Sequence, residues 1–437
     1  MISPRQGATS PRLEVEHDPA EFGFDATRLG RIDSYLQRYV EDGALPGWQF
    51  VLTRGGHVAH TATGGCRDRE RDLPVEADTL FRIYSMTKPV TSVAAMMLYE
   101  LGAFQLSDPV SNFLPAFGDV RVYTGGSDLR PSTVPATEPV RMIHLLTHTA
   151  GLTYGFFRQH PVDAMYRAAN LDGSGERPVA DLADLCDRIA ALPLLFQPGS
   201  EWAYSMATDV LGRVVEVISG QRLGEFFTER IFEPLGMTDT GFGVRDDQLP
   251  RLARLYAQQP GGGLQPADGV GANVDRPALE LGGGGLISSA HDYHRFTQML
   301  LRGGELDGHR LLSPRTVRFM TRNHLPGNAD LEQFGRPLYS EVPMRGTGFG
   351  LGFSVDLEPP ATGRPGSAGA YAWGGAASTL FWVDPADQLT AMFFTQVFTL
   401  HPLALRGALR QVVYQSLVDE GPSAHGIGTG RSARSMP

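Results

Sequence analysis

Leu29, Ile32, Leu36 and Val40 recur at helical spacing behind Asp25, and the run stops at Gly43. That period predicts an amphipathic helix with Asp25 as its N-cap. The period then changes. Trp48 to Thr53 reads as a strand, Arg54-Gly55-Gly56 as a turn, and His57 to Thr63 as the returning strand of a hairpin. The short segment Thr79 to Tyr84 leads into a second helix, which runs from Ser85 through Val93, Met96, Met97 and Leu98 to Gly102, a natural C′ residue. Pro89 falls in its first turn, where a missing N–H costs nothing.

Beyond this helix the texture changes. Helical patterns at Val140–His148, Val179–Leu195, Thr208–Ser219 and Leu223–Phe232 alternate with Pro- and Gly-rich loops, and strand signals are scarce. Strands return late in the chain, at 348–355, 378–383 and 389–395, the last two flanking a turn at Asp384-Pro385-Ala386-Asp387. A helix from Pro402 to Asp419 follows. The simplest assembly is an α/β fold with an all-α insertion: an antiparallel sheet built from both ends of the chain and flanked by helices. Residues 21–95 and 276–420 are assigned to the discontinuous α/β domain and 96–275 to the helical domain. Residues 1–20 and 421–437 are polar or rich in Gly, Ser and Arg, and read as disordered ends.

Composition narrows the partners. The 437 residues are 42% hydrophobic and 20% charged, with net charge −10, which is ordinary for a globular enzyme and gives no basic stripe for nucleic acid or anionic lipid. Cys66 and Cys186 form neither a disulfide framework nor a zinc motif. The start of the chain carries no apolar leader and no run reaches membrane-spanning length, so the expected compartment is the cytoplasm. No metal or cofactor is expected.

One count changes the picture. The chain has 37 arginines and one lysine, Lys88, three residues after Ser85. Arginine holds its proton at working pH, whereas a lysine can be made neutral by its surroundings, so the one task arginine cannot perform is proton transfer. Residues i and i+3 share a helix face, so the Ser85 hydroxyl and the Lys88 amine can meet as nucleophile and activator. The positive end of the helix dipole suits a developing oxyanion there.

Two further segments suit this chemistry. Tyr204, in Tyr204-Ser205-Met206 behind Pro198-Gly199, is held between a rigid turn and a helix start and is the candidate proton partner of Lys88. Trp373-Gly374-Gly375-Ala376 offers paired glycines for close backbone approach, and the N–H groups of Ser85 and Ala376 are candidates for an oxyanion hole. Other patterns carry less. His144 and His148 stand i, i+4 without a glutamate after His144, and are read as structural on one helix. Gly282–Gly285 lacks the dinucleotide spacing and reads as a flexible loop. No G-x-S-x-G occurs, which argues against an α/β-hydrolase elbow.

In order and spacing, Ser85-x-x-Lys88, Tyr204-Ser205 and Trp373-Gly374-Gly375 resemble the serine β-lactamase and penicillin-binding-protein superfamily, and most closely its family VIII carboxylesterases, relatives of the class C β-lactamases. Supporting phrases are Ser85 to Ser92, His144 to Leu152, Glu233-Pro234-Leu235-Gly236-Met237 and Gly282 to Ser289. The resemblance implies a site between an α/β and a helical domain, Ser85 as the acyl-accepting nucleophile, and Lys88 with Tyr204 as the proton-handling pair. Two departures matter. Met206 stands where the lactamase pattern has Asn, and Trp373 where it has Lys or His. Both remove groups that would hold an anionic amide and fit the esterase branch, whose substrates are small-molecule esters. Trp373, Gly374, Gly375, Tyr154, Phe156, Phe157 and Trp202 are the expected substrate wall.

Overall fold

Eight strands drawn from the two ends of the chain pair into one antiparallel sheet. They are β1 (Gly47–Arg54), β2 (His57–Asp68), β3 (Leu73–Pro74), β4 (Thr347–Phe349), β5 (Ser354–Asp356), β6 (Tyr371–Gly374), β7 (Leu380–Asp384) and β8 (Leu389–Phe394), in the spatial order β4-β5-β6-β7-β8-β1-β2-β3. The seam between the two ends is β1 against β8, with Phe50 opposite Phe393 and Val51 opposite Met392. This computed structural model describes residues 12–171, 178–267, 279–336, 344–399 and 405–419. The ends read as disordered lie largely outside the described residues, as does Pro402.

Both faces of the central strands are covered, which is why β1 is buried at every position. On one face Phe50, Leu52, Trp382, Leu389 and Phe393 pack with α1 (Ala26–Glu41) and a C-terminal helix, Leu405–Tyr414. Asp25 caps α1 as its sequence predicts, its side chain accepting from the Arg28 N–H at 2.9 Å, and Leu29, Ile32 and Leu36 face inward. Each such side chain contributes roughly 1.5–3 kcal/mol by leaving water. On the other face Val51, Phe381, Met392 and Phe394 join the larger core, which contains α2 (Thr87–Glu100). Every residue of α2 from Thr87 to Leu98 is buried. The helix is buried all round, its polar residues Thr87, Lys88, Thr91 and Ser92 included, and forms the axis between sheet and helical region. There α2 packs against α4 (Ala207–Ser219), which in turn packs against α3 (Leu182–Ala190), all within that same core.

Three readings of the pattern are corrected. The stretch 348–355 is not one strand. It breaks between β4 and β5, because a Cβ at Gly350 would lie 2.2 Å from the Met320 carbonyl and one at Gly352 would lie 2.1 Å from the Ser92 hydroxyl. The helical region also holds strands the pattern hid: Arg121–Gly126 pairs with Pro131–Pro135, and Tyr256–Gln258 with Leu264–Pro266. Pro131 and Pro135 bound their strand, and proline weakens any strand reading. Finally, the helix expected over 140–148 is only Met142–Leu146, so His148 lies beyond it with φ 57° and shares no helix face with His144. No helix among the described residues is long and apolar enough to cross a membrane.

Candidate active site

Ser85 sits in a tight turn, Tyr84–Met86, that runs straight into α2. Tyr84 takes φ 44°, a conformation that costs a bulky residue of order 1 kcal/mol. Flanking bonds hold it there: Ile83 donates to the Leu286 carbonyl at 3.0 Å and Met86 to the Ile83 carbonyl at 3.0 Å. The turn leaves Ser85 partly exposed at the N-terminus of a buried helix.

Lys88 is 1% exposed, and its amine makes three contacts. It lies 3.2 Å from the Ser85 hydroxyl, 3.0 Å from the Tyr154 hydroxyl and 2.6 Å from the Gly283 carbonyl. An ammonium has three donors, so the charged form is satisfied here. A neutral amine suits the same geometry: two N–H groups serve Gly283 and Tyr154, and the lone pair faces the Ser85 proton.

The tyrosine bonded to Lys88 is thus Tyr154, which the sequence placed in the wall, and not Tyr204. The Tyr204 hydroxyl instead accepts from the Trp373 indole N–H at 3.3 Å, while its ring centroid lies 4.7 Å from the Lys88 amine. Tyr154 and Tyr204 meet each other at 5.3 Å between ring centroids. Desolvation pushes the Tyr154 phenol well above its ordinary value, and the Asp209 carboxylate adds to the shift.

Behind Tyr204 stands His148. Its Nδ1 lies 3.1 Å from the Ser205 hydroxyl, its carbonyl accepts from Ala203 at 3.0 Å, and its ring packs 5.1 Å from that of Tyr204. Burial, reinforced by the nearby Lys88 charge, holds His148 well below the usual histidine range, so it is a neutral wedge.

The glycine run is the opposite of a flexible loop. Thr91 donates to the Gly282 carbonyl at 2.7 Å, Lys88 to that of Gly283, and Leu286 donates to the Thr87 hydroxyl at 3.1 Å. From the other side the Gly283 N–H donates to the Asp209 carboxylate at 2.8 Å. A Cβ at Gly283 would lie 2.5 Å from that carboxylate, so only glycine allows this approach.

The remaining expected residues separate into those at the site and those behind it. Trp373, next to the end of β6, packs its ring against Tyr204 and Phe349, each 5.3 Å between centroids. Gly374 is partly exposed, Gly375 is buried and Ala376 is exposed. A Cβ on Gly375 would lie 2.4 Å from the Ile83 carbonyl, so this glycine lets the strand end press against the segment before Ser85. Among the described residues, neither the Ser85 nor the Ala376 N–H donates a hydrogen bond. Phe156 is 59% exposed and stacks on Tyr154 at 4.7 Å, with Phe157 4.8 Å from it. Trp202 does not line the site. It is 1% exposed, packed with Leu325, Leu331 and Phe349, and supports Tyr204 from behind at 6.3 Å. Met206 likewise points into the core. No metal-binding cluster of His, Cys, Asp or Glu occurs among the described residues.

Sequence reasoning missed Asp209 altogether, since a lone aspartate in a first helical turn reads as a dipole partner.

Comparison with known proteins shows which family the chain belongs to. The Beta-lactamase family profile matches residues 32–415. The chain is 39% identical to protein Rv1367c of Mycobacterium tuberculosis over 366 residues, covering 83% of this chain and 88% of that one. It is 31% identical to esterase EstB of Burkholderia gladioli over 421 residues, covering 91% and 98%. Among solved structures it superposes on EstCE1, described as a hydrolase with promiscuous acyltransferase activity, with a TM-score of 0.74 and 27% identity over 89% of this chain and 99% of that one. The chain belongs to the β-lactamase family and is a serine hydrolase related to the family VIII esterases.

Proposed function

We propose that this enzyme is a carboxylesterase that cleaves short-chain or aromatic esters through an acyl-enzyme on Ser85. The observation that carries the reading is the contact of the only lysine with the Ser85 hydroxyl at 3.2 Å, under a wall of aromatic rings. Neutral Lys88 accepts the Ser85 proton as the oxygen attacks the ester carbonyl. The N–H groups of Ser85 and Ala376 receive the oxyanion. The proton then leaves Lys88 through a tyrosine hydroxyl for the departing alkoxide. Tyr154 is bonded to Lys88, and Tyr204 lies over it, so the two phenols are the conduit. Water repeats the sequence on the acyl-enzyme and releases the acid.

Substrate preference follows from the indole at position 373. Lacking a cation there costs a substrate carboxylate roughly 1.5–3 kcal/mol of charged hydrogen bonding. An apolar wall gains about 25 cal/mol per Å² of neutral surface it buries. Both effects favour uncharged esters over anionic lactams. Steady-state kinetics on nitrophenyl butyrate and a chromogenic cephalosporin test this. The expected kcat/KM ratio favours the ester by orders of magnitude, and Trp373→Lys narrows it. Equal or reversed ratios would replace the esterase reading with a lactamase one.

A second reading, acyl transfer to an alcohol in place of water, is favoured by the likeness to EstCE1. The same acyl-enzyme serves it, and product analysis with an added alcohol separates the two.

A further inference from the structure

The mechanism above leaves unused a buried charge close to Lys88. Asp209 is 2% exposed in the first turn of α4, and its carboxylate reaches across to the Gly283 N–H. The carbonyl of that same residue, Gly283, holds the Lys88 amine. One residue of backbone therefore joins a carboxylate to the only lysine.

A purely structural role does not explain the charge. An acid in the first turn of a helix ordinarily engages its own N-terminus at the surface; Asp209 does accept from its own backbone N–H, but it is buried and also reaches Gly283. An asparagine would accept from the Gly283 N–H equally well through its amide oxygen. Burying a carboxylate is costly unless something repays it. Burial does raise the Asp209 carboxyl, while the Lys88 charge, the Gly283 N–H and its own backbone N–H pull it back down.

We infer that Asp209 is the positioning residue of Lys88: acting through the Gly283 peptide, its carboxylate fixes the carbonyl that aims the amine at Ser85 and balances the ammonium charge formed during attack. The inference rests on the proposed role of Ser85 and Lys88. The other groups facing Lys88 are Tyr154, Tyr204 and His148, the last held neutral. On the far side, from α3, Cys186 faces Asp209; burial, with Asp209 contributing, pushes its thiol well up, so it adds no charge.

The test is the second-order rate of Ser85 labelling by a fluorophosphonate as a function of pH, in wild type, Asp209→Asn and Asp209→Ala. This readout needs no ester substrate. Removing a nearby negative charge makes the ammonium easier to deprotonate, so the acidic limb is expected to move to lower pH by about one unit in both variants. The amide keeps the Gly283 bond but not the charge, so Asp209→Asn should lose only the charge-balancing part of the plateau rate, a few-fold. Asp209→Ala should lose roughly tenfold or more through misplacement of the amine. A limb that stays in place in any folded variant overturns the inference. So does failure of both variants to fold, because the carboxylate is then a requirement of folding. Absence of labelling in wild type is a different failure: it removes the proposed role of Ser85, and the inference with it.

Discussion

The floor and the wall of the site are built on different principles. The floor, comprising Ser85, Lys88, Gly282–Gly283, Thr87, Thr91 and Asp209, is polar, and its side chains hold backbone groups at 2.6–3.1 Å. The wall, comprising Tyr154, Phe156, Phe157, Tyr204, Phe349 and Trp373, is a set of rings meeting at 4.7–6.0 Å with few hydrogen bonds between them. Directional bonds fix atoms to a few tenths of an ångström, as proton transfer demands. Ring packing tolerates substitution and reshaping. The difference assigns rate to the floor and selectivity to the wall, with the two tyrosine hydroxyls at the boundary.

That assignment breaks most readily at Lys88. Lys88→Arg keeps the charge but loses the titratable amine, and kcat is expected to fall at least about a hundredfold. An arginine variant that works nearly as well would mean that the floor supplies charge alone. The boundary is sharpened by Tyr154→Phe and Tyr204→Phe, assayed side by side. Both should lower kcat with little change in folding. Tyr154→Phe should show the larger loss, because its hydroxyl is the one bonded to Lys88. The reverse order would move proton transfer onto Tyr204 and make Tyr154 a wall residue.

The smallest effect concerns stability. Burial holds His144 down to about 4 and His294 to about 3, and His148 well below its ordinary range. The unfolded chain binds these protons near pH 6.5, whereas the folded protein binds them only further down. Between those limits the unfolded state holds more protons, so stability is present above about pH 6.5 and is lost as pH falls toward about 4. A thermal melt series over that range should show a falling Tm, and His148→Gln should flatten it. If Tm does not change, the wedge behind Tyr204 is not a neutral histidine.

The same contrast explains what the sequence made legible. The central strands and α2 were readable as apolar runs of strand and helix length bounded by turn residues, and the Ser85–Lys88 pair because a single lysine among arginines is a compositional anomaly. Tyr154 looked like wall because its ring does line the wall. Only three dimensions show its hydroxyl turned to Lys88. Gly282–Gly285 looked flexible because glycine permits both mobility and close approach, and sequence alone does not say which. Trp202 looked available for substrate because proximity to Tyr204 in sequence says nothing of direction. Trp202 faces the core cluster behind the site, and Tyr204 packs against that cluster from the site side.

The most direct measurement of the central claim is a rapid acid quench of the enzyme with nitrophenyl butyrate, followed by intact mass and peptide mapping. The account predicts one butyryl group on the peptide containing Ser85, with none formed in Ser85→Ala. An acyl group on another residue, or undiminished hydrolysis by Ser85→Ala, would contradict it.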